Sequence, residues 1–179
     1  MKTIEEQKLT FAFPDNWEVI KYDESHFFMN HVRKSQGSKA VDILALSDNR
    51  LFLIEIKDFR GYRIESKKSL RSNEVLNEVV QKVRDTVTGL YAAYRRQSEE
   101  LAPFYHYLCT GSKYSTDVRH QRKIIAVFFL EQDTQSDAEF FLRNLEMKMK
   151  YKLKFLNINC LVHNKKTYAK KPLGWDVKG

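Results

Sequence analysis

Short runs of apolar residues alternating with polar or small ones open the chain. A longer stretch with apolar residues three and four apart follows. Residues 9–13 (LTFAF) alternate and stop at Pro14-Asp15-Asn16, a turn signal. Residues 17–22 and 27–32 each read as strands, and 34–39 (KSQGSK) as a polar loop containing Gly37. Two strongly apolar strands come next, 41–46 and 51–57, separated by Ser47-Asp48-Asn49-Arg50. Asp and Asn tolerate positive φ better than most residues, so Asp48-Asn49 suits a tight turn. From 73 to 96, Leu76, Val80, Val83, Val87, Leu90 and Tyr94 form one apolar stripe of a long helix, which Gly89 weakens locally. KIIAVFFL (123–130) reads as a strand buried on both faces, 136–150 as a second helix and 155–162 as a last strand. This order predicts an α/β single domain over 1–179.

The hairpin carries more than apolar bulk. With Asp48-Asn49 as a two-residue turn, Leu46 faces Leu51, Leu44 faces Leu53 and Asp42 faces Glu55 on one face. Ala45 with Phe52, Ile43 with Ile54 and Val41 with Ile56 make the other. Both faces are apolar near the turn, as in strands covered on both sides. At the far end the first face presents Asp42, Glu55 and, two residues on, Lys57. Directly opposite Cβ atoms lie about 4.5–5.5 Å apart, so these carboxylates repel unless something positive lies between them. Lys57 is one candidate and a divalent cation the other. Mg²⁺ takes one or two carboxylates and keeps waters, and the Ile56 backbone carbonyl offers a further oxygen. An Asp-Lys-Glu ion cluster with no catalytic role is the plain alternative.

Composition narrows the classes. The 179 residues carry 31 Lys+Arg against 23 Asp+Glu, a net charge of +8. Hydrophobic residues make up 42% and aromatics 13%, enough to build a core and too much for a disordered chain. No stretch approaches the roughly 20 apolar residues of a bilayer span, and the N-terminal MKTIEEQKLTF has no signal-like apolar run. Cys109 and Cys160 are too few for a disulfide scaffold, and the five His are scattered. A reduced, cytoplasmic protein is therefore expected. The charge is uneven: residues 148–179 hold nine Lys against Asp176 alone, +8 by themselves. A basic C-terminal segment on a near-neutral body suggests a polyanion partner or a solubilising tail.

VDILAL followed by LIEIKD resembles the core motif of the PD-(D/E)XK nuclease superfamily, which includes restriction endonucleases and Holliday junction resolvases. Its pattern is an acid at a strand end, then an acid, one apolar residue and a Lys on the next strand: here Asp42, Glu55, Ile56 and Lys57. The resemblance covers roughly residues 17–131 and implies a restriction-endonuclease-like αβββαβ core. It also implies that Asp42 and Glu55 bind Mg²⁺ (or Mn²⁺) and that Lys57 positions the attacking water. Val41 stands in place of the name-giving Pro. Family members usually carry a further acid on an N-terminal helix; Glu5, Glu6, Asp23 and Glu24 are the candidates here.

Four further residues are candidates for substrate contact: Asp23, Gln81, Lys82 and Arg84. For the last three, on the long helix, a solvated polar face is the alternative. Tyr91 and Tyr94 read as core. KMKYKLK (148–154) reads either as a strand with a cationic edge or as the end of a helix. The expected activity is metal-dependent hydrolysis of phosphodiester bonds in nucleic acid, DNA ahead of RNA. A non-catalytic nucleic-acid-binding or scaffold module is the competing class. A homodimer is open, and no membrane partner is expected.

Overall fold

A computed structural model describes residues 1–61, 73–110, 123–133 and 138–179. Among the described residues eight strands are formed: β1 (Lys2–Glu6), β2 (Leu9–Phe13), β3 (Glu18–Lys21), β4 (Ile43–Ser47), β5 (Arg50–Asp58), β6 (Lys123–Glu131), β7 (Asn159–His163) and β8 (Asp176–Lys178). The helices are α1 (Phe28–Val32, a π-helical turn), α2 (Glu74–Arg96), α3 (Ala102–Cys109), α4 (Ala138–Leu153) and α5 (Lys165–Lys170). The fold is α/β with a mixed five-stranded sheet, order β3-β4-β5-β6-β7. Strands β3, β4 and β5 are antiparallel, while β5, β6 and β7 are parallel. Parallel neighbours need a crossover. Helices α2 and α3 fill the one between β5 and β6, and α4 the one between β6 and β7.

The hairpin register is the expected one, with Leu46↔Leu51, Leu44↔Leu53, Ala45↔Phe52 and Ile43↔Ile54 paired. Its two faces enter two different cores. Leu44, Leu51 and Leu53 pack with Leu76, Val79 and Val83 of α2. Ile43, Ala45, Phe52 and Ile54 pack with Leu9, Phe11 and Phe13 of β2. A small sheet, β1-β2-β8, thus covers one face of the main sheet and helices cover the other. Lying between two apolar layers explains why β5 and β6 are almost unbroken apolar runs.

Several expectations need correction. Residues 27–32 are helical, because capping at their N-terminus outweighs their β propensity. The Phe28 N–H donates to Ser25 Oγ, and the His26 and Phe27 N–H groups donate to the Glu100 carboxylate at 2.9 Å each. The last strand starts at Asn159, after a 3₁₀ turn over Lys154–Leu156. KMKYKLK is the end of α4, so the helix reading holds and the cationic strand does not form. The start expected for that helix at 136 lies outside the described residues. Residues 2–6 form a strand, so Glu5 and Glu6 sit on no helix. Tyr91 is 55% exposed, whereas Tyr94 packs edge-on to Tyr105.

The basic C-terminal segment is no free tail. Trp175 is buried among Phe13, Trp17, Phe52 and Tyr168, and β8 adds to β2 with Phe11 opposite Val177. Its lysines therefore project from a folded body. Truncation after Val162 would remove Tyr168 and Trp175 from the core and unfold that layer, rather than merely subtract charge.

Gly89 is not simply a weak point of α2. A Cβ there would overlap the hydroxyl oxygen of Tyr22, which is buried without a hydrogen-bond partner. Gly89→Ala is expected to destabilise the protein by about 1–3 kcal/mol through overpacking, despite alanine's better helix propensity. Tyr22→Phe removes the overlapping oxygen and should restore most of that loss, as urea unfolding of the single and double variants would show. Additive effects would mean that the close approach is not the cause.

Candidate active site

Asp42 lies one residue before β4, and four contacts fix it. Its carbonyl accepts from the Tyr22 N–H at 2.9 Å, extending the β3–β4 pairing. Its Oδ2 accepts from the Ile56 N–H at 2.7 Å, and its Oδ1 meets Lys82 Nζ at 3.4 Å. The residue before it, Val41, donates its N–H to Thr86 Oγ1 of α2 at 3.1 Å. Two more bonds stitch this approach segment to α2: Gln81 Nε2 to the Gly37 carbonyl (2.8 Å) and the Lys39 N–H to Asp85 Oδ2 (3.0 Å).

Glu55, in the middle of β5, is fully buried. Its Oε1 accepts from Lys82 Nζ at 2.8 Å and lies 3.4 Å from Lys57 Nζ. Its Oε2 is buried with no hydrogen-bond partner. Asp42 and Glu55 thus share the Lys82 ammonium, and Lys57 points to the same face, as the hairpin register implies. In an extended strand a residue's N–H and C=O lie on one edge. The Ile56 carbonyl therefore faces the Asp42 side, where its N–H already donates.

The electrostatics are those of carboxylates crowded in a dry place. Burial first, and the neighbouring Asp42 second, push the Glu55 carboxyl up to about 8. Burial also raises Asp42, against the opposing pull of Lys82 and of the Ile56 N–H. For Lys82 burial works against the charge, but Glu55 and Asp42 outweigh it and hold the ammonium above its ordinary value. Asp23, just beyond β3, is pushed up to about 6 by burial and then by Asp42, and its Oδ1 is buried without a partner.

Of the sequence candidates, Asp42, Glu55, Lys57 and Lys82 come together, and Asp23 stands within electrostatic reach of Asp42. Among the four candidates for the additional acid, Glu6 also acts on both Asp23 and Asp42, while Glu24 is exposed and paired with Lys21 at 2.6 Å. Gln81 does not join the cluster, because its amide is used on the Gly37 carbonyl. Arg84 lies on the exposed side of α2. Sequence reading missed Glu78 of α2, which lies 3.4 Å from Lys57 Nζ and 3.7 Å from Lys39 Nζ. Burial opposes its charge, yet Lys57 and Lys39 hold its carboxyl below the ordinary value. The signal was present in the Glu78–Lys82 spacing of four, which puts both on one helix face.

Among the described residues no group of three or more His, Cys, Asp or Glu is arranged to hold a metal ion, and no helix is long and apolar enough to cross a membrane. Two carboxylates with an unpartnered buried oxygen still suit Mg²⁺, which completes its shell with water. No family model and no solved structure matches the chain. A cysteine–tRNA ligase of Neisseria meningitidis serogroup A is 35% identical over an alignment of 133 residues that covers 58% of this chain. The chain spans only 19% of that ligase's length, so the likeness concerns a segment of the ligase.

Proposed function

We propose that this chain is a divalent-cation-dependent nuclease of the PD-(D/E)XK kind, hydrolysing phosphodiester bonds in nucleic acid. The observation that carries the reading is the Glu55 carboxylate. It is fully buried, one oxygen has no partner, and it sits beside a second buried carboxylate with Lys57 on the same face. A cluster that served only structure would be expected to satisfy that oxygen. The element order supports the reading: three antiparallel strands, a long helix, then a strand parallel to the third. Where the family pattern begins with a helix, this chain has the β1–β2 hairpin.

Asp42 and Glu55 would hold Mg²⁺ or Mn²⁺, with the Ile56 carbonyl as a third oxygen donor. Such a cation supplies Lewis acidity toward the phosphate and lowers the pKa of a bound water. Lys82 balances the two carboxylates until a cation competes for them. Lys57, held between Glu55 and Glu78, orients the attacking water and offsets charge that builds on the phosphate. Glu78 acts as a positioning residue through Lys57. Asp23 adds a further carboxylate at the edge of the site.

The partial likeness to a tRNA ligase does not bring that enzyme's activity with it, but it makes tRNA a substrate worth including. The test incubates the full chain with supercoiled, linear, branched and single-stranded DNA, and with tRNA and other RNA. Each is run in Mg²⁺, in Mn²⁺ and in EDTA. Cleavage that EDTA abolishes is expected for at least one of them. Binding without cleavage of any would make the chain a non-catalytic nucleic-acid module.

A further inference from the structure

Helix α4 buries Leu142, Leu145, Met149 and Leu153 in the core, yet its opposite side is not the usual charged surface. Phe140, Met147 and Tyr151 recur at steps of seven and four, and Phe155 follows four residues later. They are 70%, 62%, 83% and 71% exposed, respectively. At 1.5 Å rise per residue the stripe runs along roughly 20 Å of surface. A second row lies beside it, with Lys148 and Lys152 one turn apart and exposed, followed by Lys154. Residues 148–156 hold four Lys and no acid. An open groove of about 550 Å³ separates this row from the start of α2, lined by Asn73, Asn77, Met147, Lys148, Tyr151 and Lys152. Lys148 Nζ donates across it to Asn73 Oδ1 at 2.9 Å.

From this surface we infer that the α4 stripe and its groove bind single-stranded nucleic acid, with bases stacked on Tyr151 and Phe155 and phosphates on Lys148 and Lys152. Exposed rings alternating with lysines fit a strand whose bases are free to stack, whereas a duplex keeps its bases stacked on each other. The carboxamides of Asn73 and Asn77 suit base edges. A lipid surface would desolvate them, and the core-facing half of α4 is already used, which leaves too narrow an apolar face for membrane burial. Glu78, next to Asn77, belongs to the Lys57 cluster, so the groove and the proposed active site draw on neighbouring residues of α2. That last step rests on the nuclease reading; the binding surface itself does not.

The test measures anisotropy of labelled oligothymidylate and oligouridylate, and of a duplex of equal length, with the full chain in EDTA across a salt series. Cleavage in Mg²⁺ is scored separately. Tyr151→Ala/Phe155→Ala is expected to weaken single-strand binding by about tenfold or more, leaving the duplex unaffected. Tyr151→Trp should keep the affinity. Lys148→Gln/Lys152→Gln should lower the slope of log affinity against log salt by about 1.4, from two lost phosphate contacts. Unchanged single-strand affinity in the aromatic double variant overturns the inference. So does an equal loss for duplex. So does a stripe whose loss affects only binding to phosphatidylserine vesicles, or only the dissociation of a dimer in size-exclusion chromatography. Single-strand binding without cleavage would leave this surface standing and the nuclease reading fallen. Cleavage that needs Asp42 but is indifferent to the stripe would do the reverse.

Discussion

Replacing Lys57 by alanine is expected to slow metal-dependent cleavage by about 10²–10³-fold while nucleic-acid binding stays within about threefold. That is the pattern for a donor that acts on charge developing in the transition state. Lys57 Nζ stands 3.4 Å from Glu55 Oε1 and from Glu78 Oε1, whereas the ammonium shared by Asp42 and Glu55 is that of Lys82. Asp42→Ala and Glu55→Ala should abolish cleavage, because each removes half of the carboxylate pair. Binding in EDTA should hold or tighten in both, since a carboxylate facing a phosphate repels it. Glu78→Gln gives a smaller loss, about tenfold, if it acts through Lys57, with a shifted pH profile that a purely structural residue would not produce. The measurement is single-turnover cleavage beside equilibrium binding for each variant. Cleavage that survives Lys57→Ala, Asp42→Ala and Glu55→Ala would place the chemistry elsewhere in the chain.

The stability of the protein should depend on pH and on Mg²⁺ together. Glu55 is raised to about 8 in the fold and Asp23 to about 6, both above ordinary carboxyl values. The folded chain therefore holds protons that the unfolded chain releases. Its metal-free stability is intact below the ordinary carboxylate range and falls as pH rises toward 8. A divalent cation bound by ionised Asp42 and Glu55 opposes this loss, so the Mg²⁺-induced rise in Tm should grow between pH 6 and 8.5. Glu55→Gln removes the buried charge; at pH 8.5 in EDTA its Tm should lie about 3–8 °C above wild type, with little further response to Mg²⁺. Lys82→Met should have the opposite basal effect. It leaves both carboxylates without their ammonium, lowers the metal-free Tm and enlarges the Mg²⁺ response. Differential scanning fluorimetry across pH, with Mg²⁺ and with EDTA, checks all three proteins. A Mg²⁺ response equal in wild type and Glu55→Gln, and flat with pH, would remove the cation from this site.

A Glu55→Gln variant that gains stability and loses cleavage would fit the general trade-off between function and folding. The cost is local here. Glu55 sits in β5, the central strand of the sheet between β4 and β6, and Lys82 lies nearest its carboxylate at 2.8 Å. The same burial that makes the metal-free carboxylate unfavourable would keep water from screening its interaction with the proposed cation.

The sequence by itself determined the β4–β5 hairpin, its register, and the grouping of Asp42, Glu55 and Lys57. Those follow from a side-chain period of two and a two-residue turn, both local properties. The reach of α2 was legible for the same reason, since its stripe repeats at the helical period. What only the tertiary structure decided depends on contacts between distant residues. Glu100 caps a segment more than seventy residues earlier and turns an expected strand into α1. The packing of α2 against the sheet brings Lys82 between two acids at positions 42 and 55, and Glu78 to Lys57. The strand β8 closes on β2 and converts a basic tail into part of the core. Local periodicity carries no information about which helix face meets which strand end, because that choice is made by the burial of the whole apolar stripe at once.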